Sequence, residues 1–68
     1  MINKIKAERN AAGLTQEKLA ELISVTKQTI HAIETGKYIP STILALKIAA
    51  VFAKPVEELF LLENIDYY

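Results

Sequence analysis

Sixty-eight residues allow one small domain, and with no cysteine and a single histidine (His31) it has neither disulfides nor a thiolate or all-histidine metal site as a staple. Apolar residues make up 51% of the chain while Gly and Pro occur twice each, which argues against disorder and against a turn-rich β-sandwich or barrel. Without a staple, stability has to come from the core, with a second copy as the obvious supplement, and the net charge of zero taken alone argues against a nucleic-acid partner.

In chain order, Ile2, Ile5 and Ala12 recur at helical spacing, and Gly13 supplies a stop, which predicts a first helix over residues 2–12. Thr15 is a good N-cap for a second helix with Leu19, Leu22 and Ile23 on one face. The apolar pattern pauses at Ser24-Val25. Thr26 then caps a third helix, holding Ile30 and Ile33 and ending at Gly36. A loop through Lys37-Tyr38-Ile39-Pro40 leads to Ser41, the cap of a fourth helix with Leu44, Ile48, Ala49 and Phe52 inward. Pro55 suits the first turn of a fifth helix, which offers Val56, Leu59 and Phe60 to the core. The expected fold is all-α, a compact bundle of five short helices forming a single domain over residues 1–68.

The charges are unevenly spread. Through Lys54 the chain carries eight Lys or Arg against four Glu, a balance of +4, and everything after Pro55 that is charged is acidic: Glu57, Glu58, Glu63 and Asp66. A basic body with an acidic end suits an anionic partner on one side, although accidental segregation on a solvated surface would look the same. Lys4 and Lys6 resemble the start of a signal peptide, but Glu8, Arg9 and Asn10 stand where its apolar region would be. The apolar stretch from Ile43 to Ala53 contains Lys47 and falls well short of the ~20 residues that span a bilayer. A soluble cytoplasmic protein without membrane contact is therefore expected.

The second and third helices, joined by a short turn, form a helix-turn-helix unit. The third helix leaves Lys27, Gln28 and His31 off its core face, with Thr29 and Ala32 alongside. Lys can donate to guanine O6/N7 or a phosphate, and Gln can bond adenine N6/N7 at two points. Free N–H groups at the starts of both helices, near Gln16 and Lys27, can receive phosphates, and Lys37 follows on a loop that could grip the backbone. The same residues also suit an ordinary solvated helix face.

Gln16 to Glu34 reads Gln-Glu-Lys-Leu-Ala-Glu-Leu-Ile-Ser-Val-Thr-Lys-Gln-Thr-Ile-His-Ala-Ile-Glu, followed by Thr-Gly-Lys-Tyr-Ile-Pro-Ser. This closely resembles the Cro/CI-type (XRE-like, lambda-repressor-like) helix-turn-helix regulators. Leu-Ala-Leu-Lys-Ile-Ala (44–49) and Val-Glu-Glu-Leu-Phe (56–60) resemble that family's fourth and fifth helices, so the likeness spans roughly residues 4–62. It implies a sequence-specific regulator of double-stranded DNA, a repressor on an inverted-repeat operator bound as a homodimer. By the same resemblance Gln16 contacts a phosphate and buttresses the third helix, while Thr26, Lys27, Gln28, Thr29 and His31 meet the major groove and adjacent phosphates. Lys37 and Tyr38 match the loop that touches the backbone. Arg9 and Glu34 match a structural salt bridge between the first and third helices. Leu19, Ala20, Val25, Ile30 and Ile33 match packing positions, with Ala20 small enough for close approach. Ser24 departs from the pattern, standing where the family often has Gly. Ala32 departs too, small where some relatives carry a longer polar side chain, which shifts base reading onto Lys27 and Gln28.

One helix face cannot use the whole run Leu59-Phe60-Leu61-Leu62 with Ile65, Tyr67 and Tyr68. Residues 59–68 are therefore expected to serve dimerisation, through Leu59, Phe60, Leu61, Leu62, Ile65 and Tyr67. The alternative is that this tail folds back over its own core. An enzyme is not expected, since the chain has no Cys, no Gly-rich loop and one His on an exposed helix. No cofactor, metal or small-molecule effector domain is expected either. The competing reading is an antitoxin-like module whose apolar end holds a different protein.

Overall fold

The computed structural model describes residues 1–67 of the chain; Tyr68, the last residue of the expected dimerisation segment, lies outside them. Five helices follow one another: α1 (Ile5–Ala11), α2 (Gln16–Ile23), α3 (Lys27–Glu34), α4 (Thr42–Phe52) and the single turn α5 (Val56–Leu59). Two two-residue strands, β1 (Ile2–Asn3) and β2 (Phe60–Leu61), pair antiparallel with Ile2 opposite Leu61 and Asn3 opposite Phe60. A short 3-10 helix (Asn64–Tyr67) follows β2. No helix among the described residues is long and apolar enough to cross a membrane.

The caps of α2, α3 and α4 lie where a hydroxyl residue precedes the helix. Thr15 Oγ1 accepts from the Lys18 amide at 3.0 Å, Thr26 Oγ1 from Thr29 at 3.2 Å, and Ser41 Oγ from Leu44 at 3.2 Å. Each satisfies a donor the helix end would leave unpaired. Gly13 (φ 71°) lets the chain leave α1 and turn towards Thr15. Ser24 ends α2 at φ 60°, ψ 46°, and Ala53 ends α4 at φ 52°, ψ 41°. Both are left-handed without being glycine, a conformation that costs an L-residue roughly 1–2 kcal/mol.

The first helix is shorter than the spacing predicts. Ile2 is half exposed and pairs with Leu61 in the ribbon, the Lys4 amide donates to Leu59 O at 2.9 Å, and helix begins only at Ile5. Asn3 Oδ1 accepts from the Ile5 amide at 3.2 Å, so the strand residue also starts the helix. The fifth helix also stops early, because Phe60 turns extended to pair with Asn3; Pro55 is its cap residue, one position ahead of the first turn.

Ile5, Leu19, Ala20, Ile23, Ile30, Ile33, Leu44, Ile48, Ala49 and Leu59 form one contiguous core, with Val25, Val51, Phe52, Val56 and Phe60 packed against it. Leu59 is wholly buried, so its place in the expected dimerisation set is corrected: it is a core residue of the monomer. The α5 turn aims it inward, and Phe60 beside it is half-buried. Leu61, Leu62, Ile65 and Tyr67 are exposed. Leu22, expected on the core face of α2, is also exposed.

Candidate nucleic-acid interface

The third helix is held from three sides. Its main neighbour is α2, against which it packs through Ala20, Ile30 and Ile33. At its carboxyl end, Arg9 of α1 grips Glu34 in a two-point contact, Nε to Oε2 at 2.7 Å and an Nη to Oε1 at 3.2 Å. The other Nη of Arg9 donates to Leu14 O at 2.8 Å, which ties the turn before α2 to the same charge. Asn3 Nδ2 donates to Ile33 O at 2.8 Å. This last contact has no local signature in the sequence, because the two residues lie thirty positions apart.

Glu34 is almost fully shielded from water, its side chain 2% exposed. Burial pushes its carboxyl up, but hydrogen bonds from Arg9 and Gln16, together with the Arg9 charge, hold it below the usual carboxylate range. The hydrogen bond to Glu34 raises Arg9 in turn. Both charges are therefore kept, and no buried side-chain nitrogen or oxygen among the described residues lacks a partner.

Gln16, the first residue of α2, bridges this ion pair to the outer face of α3. Its Nε2 donates to Glu34 Oε1 at 3.0 Å and lies 3.5 Å from His31 Nδ1. Gln16, Lys27, Gln28 and His31 line one open concavity. Lys27, Gln28 and His31 are all exposed, so α3 turns its polar side chains outward and its two isoleucines in. Thr26 is exposed, whereas Thr29 is half-buried, and the two hydroxyls hydrogen-bond each other at 3.1 Å. The amides of Lys27 and Gln28 are open, as helix geometry leaves the first turn's donors.

Beyond α3, Thr35 Oγ1 donates back to His31 O at 2.9 Å, and Gly36 carries the left-handed φ of 78° that redirects the chain. The amides of Lys37 and Tyr38 then both donate to Ala32 O, at 2.9 and 3.2 Å, which fixes the start of the loop against α3. The side chains of Lys37 and Tyr38 are left exposed.

A helix-turn-helix family model matches residues 5–59, from the first residue of α1 to the last of α5. The chain belongs to the helix-turn-helix family. This helix-turn-helix protein is 51% identical over 64 residues to YgzD, an uncharacterized HTH-type transcriptional regulator of Bacillus subtilis, across 94% of this chain and 97% of that one. It is 50% identical over 64 residues to another such regulator, MJ0272 of Methanocaldococcus jannaschii, with the same coverage of 94% and 97%. Among solved structures it resembles the restriction-modification controller protein C.AhdI from Aeromonas hydrophila, with TM-score 0.77 and 32% identity over 84% of this chain and 86% of that one. It also resembles PlcR of Bacillus thuringiensis, solved with the peptide PapR7 and DNA, with TM-score 0.75 and 31% identity over 94% of this chain and 24% of the longer PlcR chain. The fold is that of Cro/CI-like helix-turn-helix proteins, and the chain is a DNA-binding transcriptional regulator, not an enzyme.

Proposed function

We propose that the chain is a cytoplasmic repressor that binds an inverted-repeat operator as a homodimer, with α3 in the major groove. The observation that carries this reading is the convergence of Gln16, Lys27, Gln28 and His31 on one open concavity along the outer face of α3. In the groove, Lys27 donates to guanine O6/N7 or a phosphate and Gln28 pairs with adenine N6/N7. Thr26, with its hydroxyl shared with Thr29, and the open amides of the first turn face adjacent phosphates, and the backbone amide of Gln16 does the same from the start of α2. Lys37 and Tyr38 contact the backbone beyond the groove.

Dimerisation is supported by apolar surface that the monomer leaves uncovered. Leu61, Leu62, Ile65 and Tyr67 are exposed, and through Phe60 and Val56 this surface continues to Ile39 and Leu46. A two-fold pairing there puts two copies of α3 in successive major grooves about 34–36 Å apart. Such a dimer represses by occluding a promoter, which requires no contact with polymerase.

Selection of sites from a random duplex library tests the whole reading. An inverted repeat is expected, with Gln28→Ala losing preference at one base pair per half-site and Lys37→Ala weakening every duplex alike. Equal losses for Gln28→Ala on selected and random DNA would remove its base-reading role. Absence of any enrichment at low salt would point to a protein partner on the apolar surface instead.

A further inference from the structure

Glu34, once ionised against Arg9, has oxygens that only accept. The Gln16 group lying 3.0 Å from Glu34 Oε1 must therefore be its NH2 and not its carbonyl. That same nitrogen lies 3.5 Å from His31 Nδ1. A nitrogen of an amide NH2 donates and does not accept, so a proton on Nδ1 would face another proton, whereas a bare Nδ1 offers its lone pair. We propose that Gln16, oriented by Glu34, fixes the tautomer of His31 with the proton on Nε2, so that α3 presents a hydrogen-bond donor at this position of the groove.

The inference rests on the reading of α3 as the groove-facing helix and deepens it. Nε2 lies across the ring from Gln16, has no hydrogen-bond partner among the described residues, and belongs to a side chain lining the concavity. As a donor it pairs with guanine O6 or N7, adenine N7, thymine O4 or a phosphate oxygen, and it rejects the amino groups of cytosine and adenine. The ion pair between α1 and α3 thus reaches the outer face of α3 in two steps, and its sign is passed on: acceptor at Glu34, donor at Gln16, acceptor at Nδ1, donor at Nε2. Gln16 is in this sense a positioning residue. The polarity of what His31 reads is set one helix away.

His31 is the one histidine of the chain, so its two ring nitrogens give an unambiguous two-bond proton–nitrogen correlation spectrum in uniformly labelled protein. In mildly alkaline solution, without DNA, the wild type is expected to show Nδ1 bare and Nε2 protonated. Because free imidazoles already favour that form, the deciding quantity is the change in Gln16→Met, which keeps the side chain's length and removes both donors. The nitrogen shifts of the variant should move towards the mixed populations of an unconstrained ring. Unchanged shifts in Gln16→Met, or an Nδ1-protonated wild type, would overturn the proposal. On selected DNA, Gln16→Met should lower discrimination at the base pair facing His31 by about five-fold, the contribution of a single oriented hydrogen bond. A wild type without sequence preference would sink the DNA reading itself and leave the tautomer result standing, so the two failures are distinguishable.

Discussion

Arg9 meets Glu34 across twenty-five residues of chain, and both side chains are withdrawn from water. Neither can be removed alone without stranding the other. Arg9→Met should destabilise the fold by about 3 kcal/mol, with much of the loss recovered in the double variant with Glu34→Leu; urea unfolding of the three proteins checks both. The carboxyl of Glu34 titrates lower in the folded state than its ordinary value of 4.5. Its contribution is therefore complete above that value and lost as the pH falls through the lower, folded one. Stability of the wild type should decline in that acid window, and Arg9→Met should flatten this part of the profile. At this scale the sequence was informative where side-chain type carried the message. The resemblance pairs Arg9 with Glu34, and the outward set of Lys27, Gln28 and His31 follows from helical spacing around Ile30 and Ile33. Leu22 misled because the buried arc of α2 is centred on Leu19, Ile23 and Ala20, and Leu22 sits about 60° to the far side of Leu19. The arc leans towards Ala20 because α3 packs there, which a count of large apolar residues misses. Asn3 carries no signal, since its partner is a backbone carbonyl of α3, thirty residues away.

The starts of α2, α3 and α4 are set by short-range chemistry, which is why they can be read from Thr15, Thr26 and Ser41, while the start of α1 and the end of α5 cannot be read that way. The hydroxyl caps act within three residues. The start of α1 and the end of α5 are decided by the pairing of residues 2–3 with residues 60–61, a two-residue ribbon too brief to impose an alternating pattern. The carboxyl ends of α2 and α4 carry a different cost. Ser24 and Ala53 both hold left-handed backbone with a Cβ attached. Ser24→Gly and Ala53→Gly should each raise stability by about 0.5–1 kcal/mol, the relieved strain less the added freedom of the unfolded chain. In a domain this small each should lift Tm by several degrees in a thermal melt. Neither site lies on the outer face of α3, so DNA affinity should hold in both.

For the molecule as a whole, the decisive distinction is between apolar residues that close the monomer and those left over. Leu59→Ala should cost about 2–5 kcal/mol through the cavity it opens, whereas Leu62→Asp should leave the melting curve nearly unchanged and shift the sedimentation profile towards monomer. A destabilised Leu62→Asp with unaltered assembly would assign that side chain to the monomer instead. Composition alone could not divide the run Leu59-Phe60-Leu61-Leu62, because the division depends on where α5 stops and the chain turns extended. The ribbon that makes this division also changes what kind of object the protein is. Residues 2–3 and 60–61 close nearly the whole chain into a ring, and Asn3 fastens that seam to the last turn of α3 through Ile33 O. A load on the segment after β2 is borne first by this small shear joint, and from there it is transmitted to the last turn of α3. Slack in the seam is slack in the seating of α3.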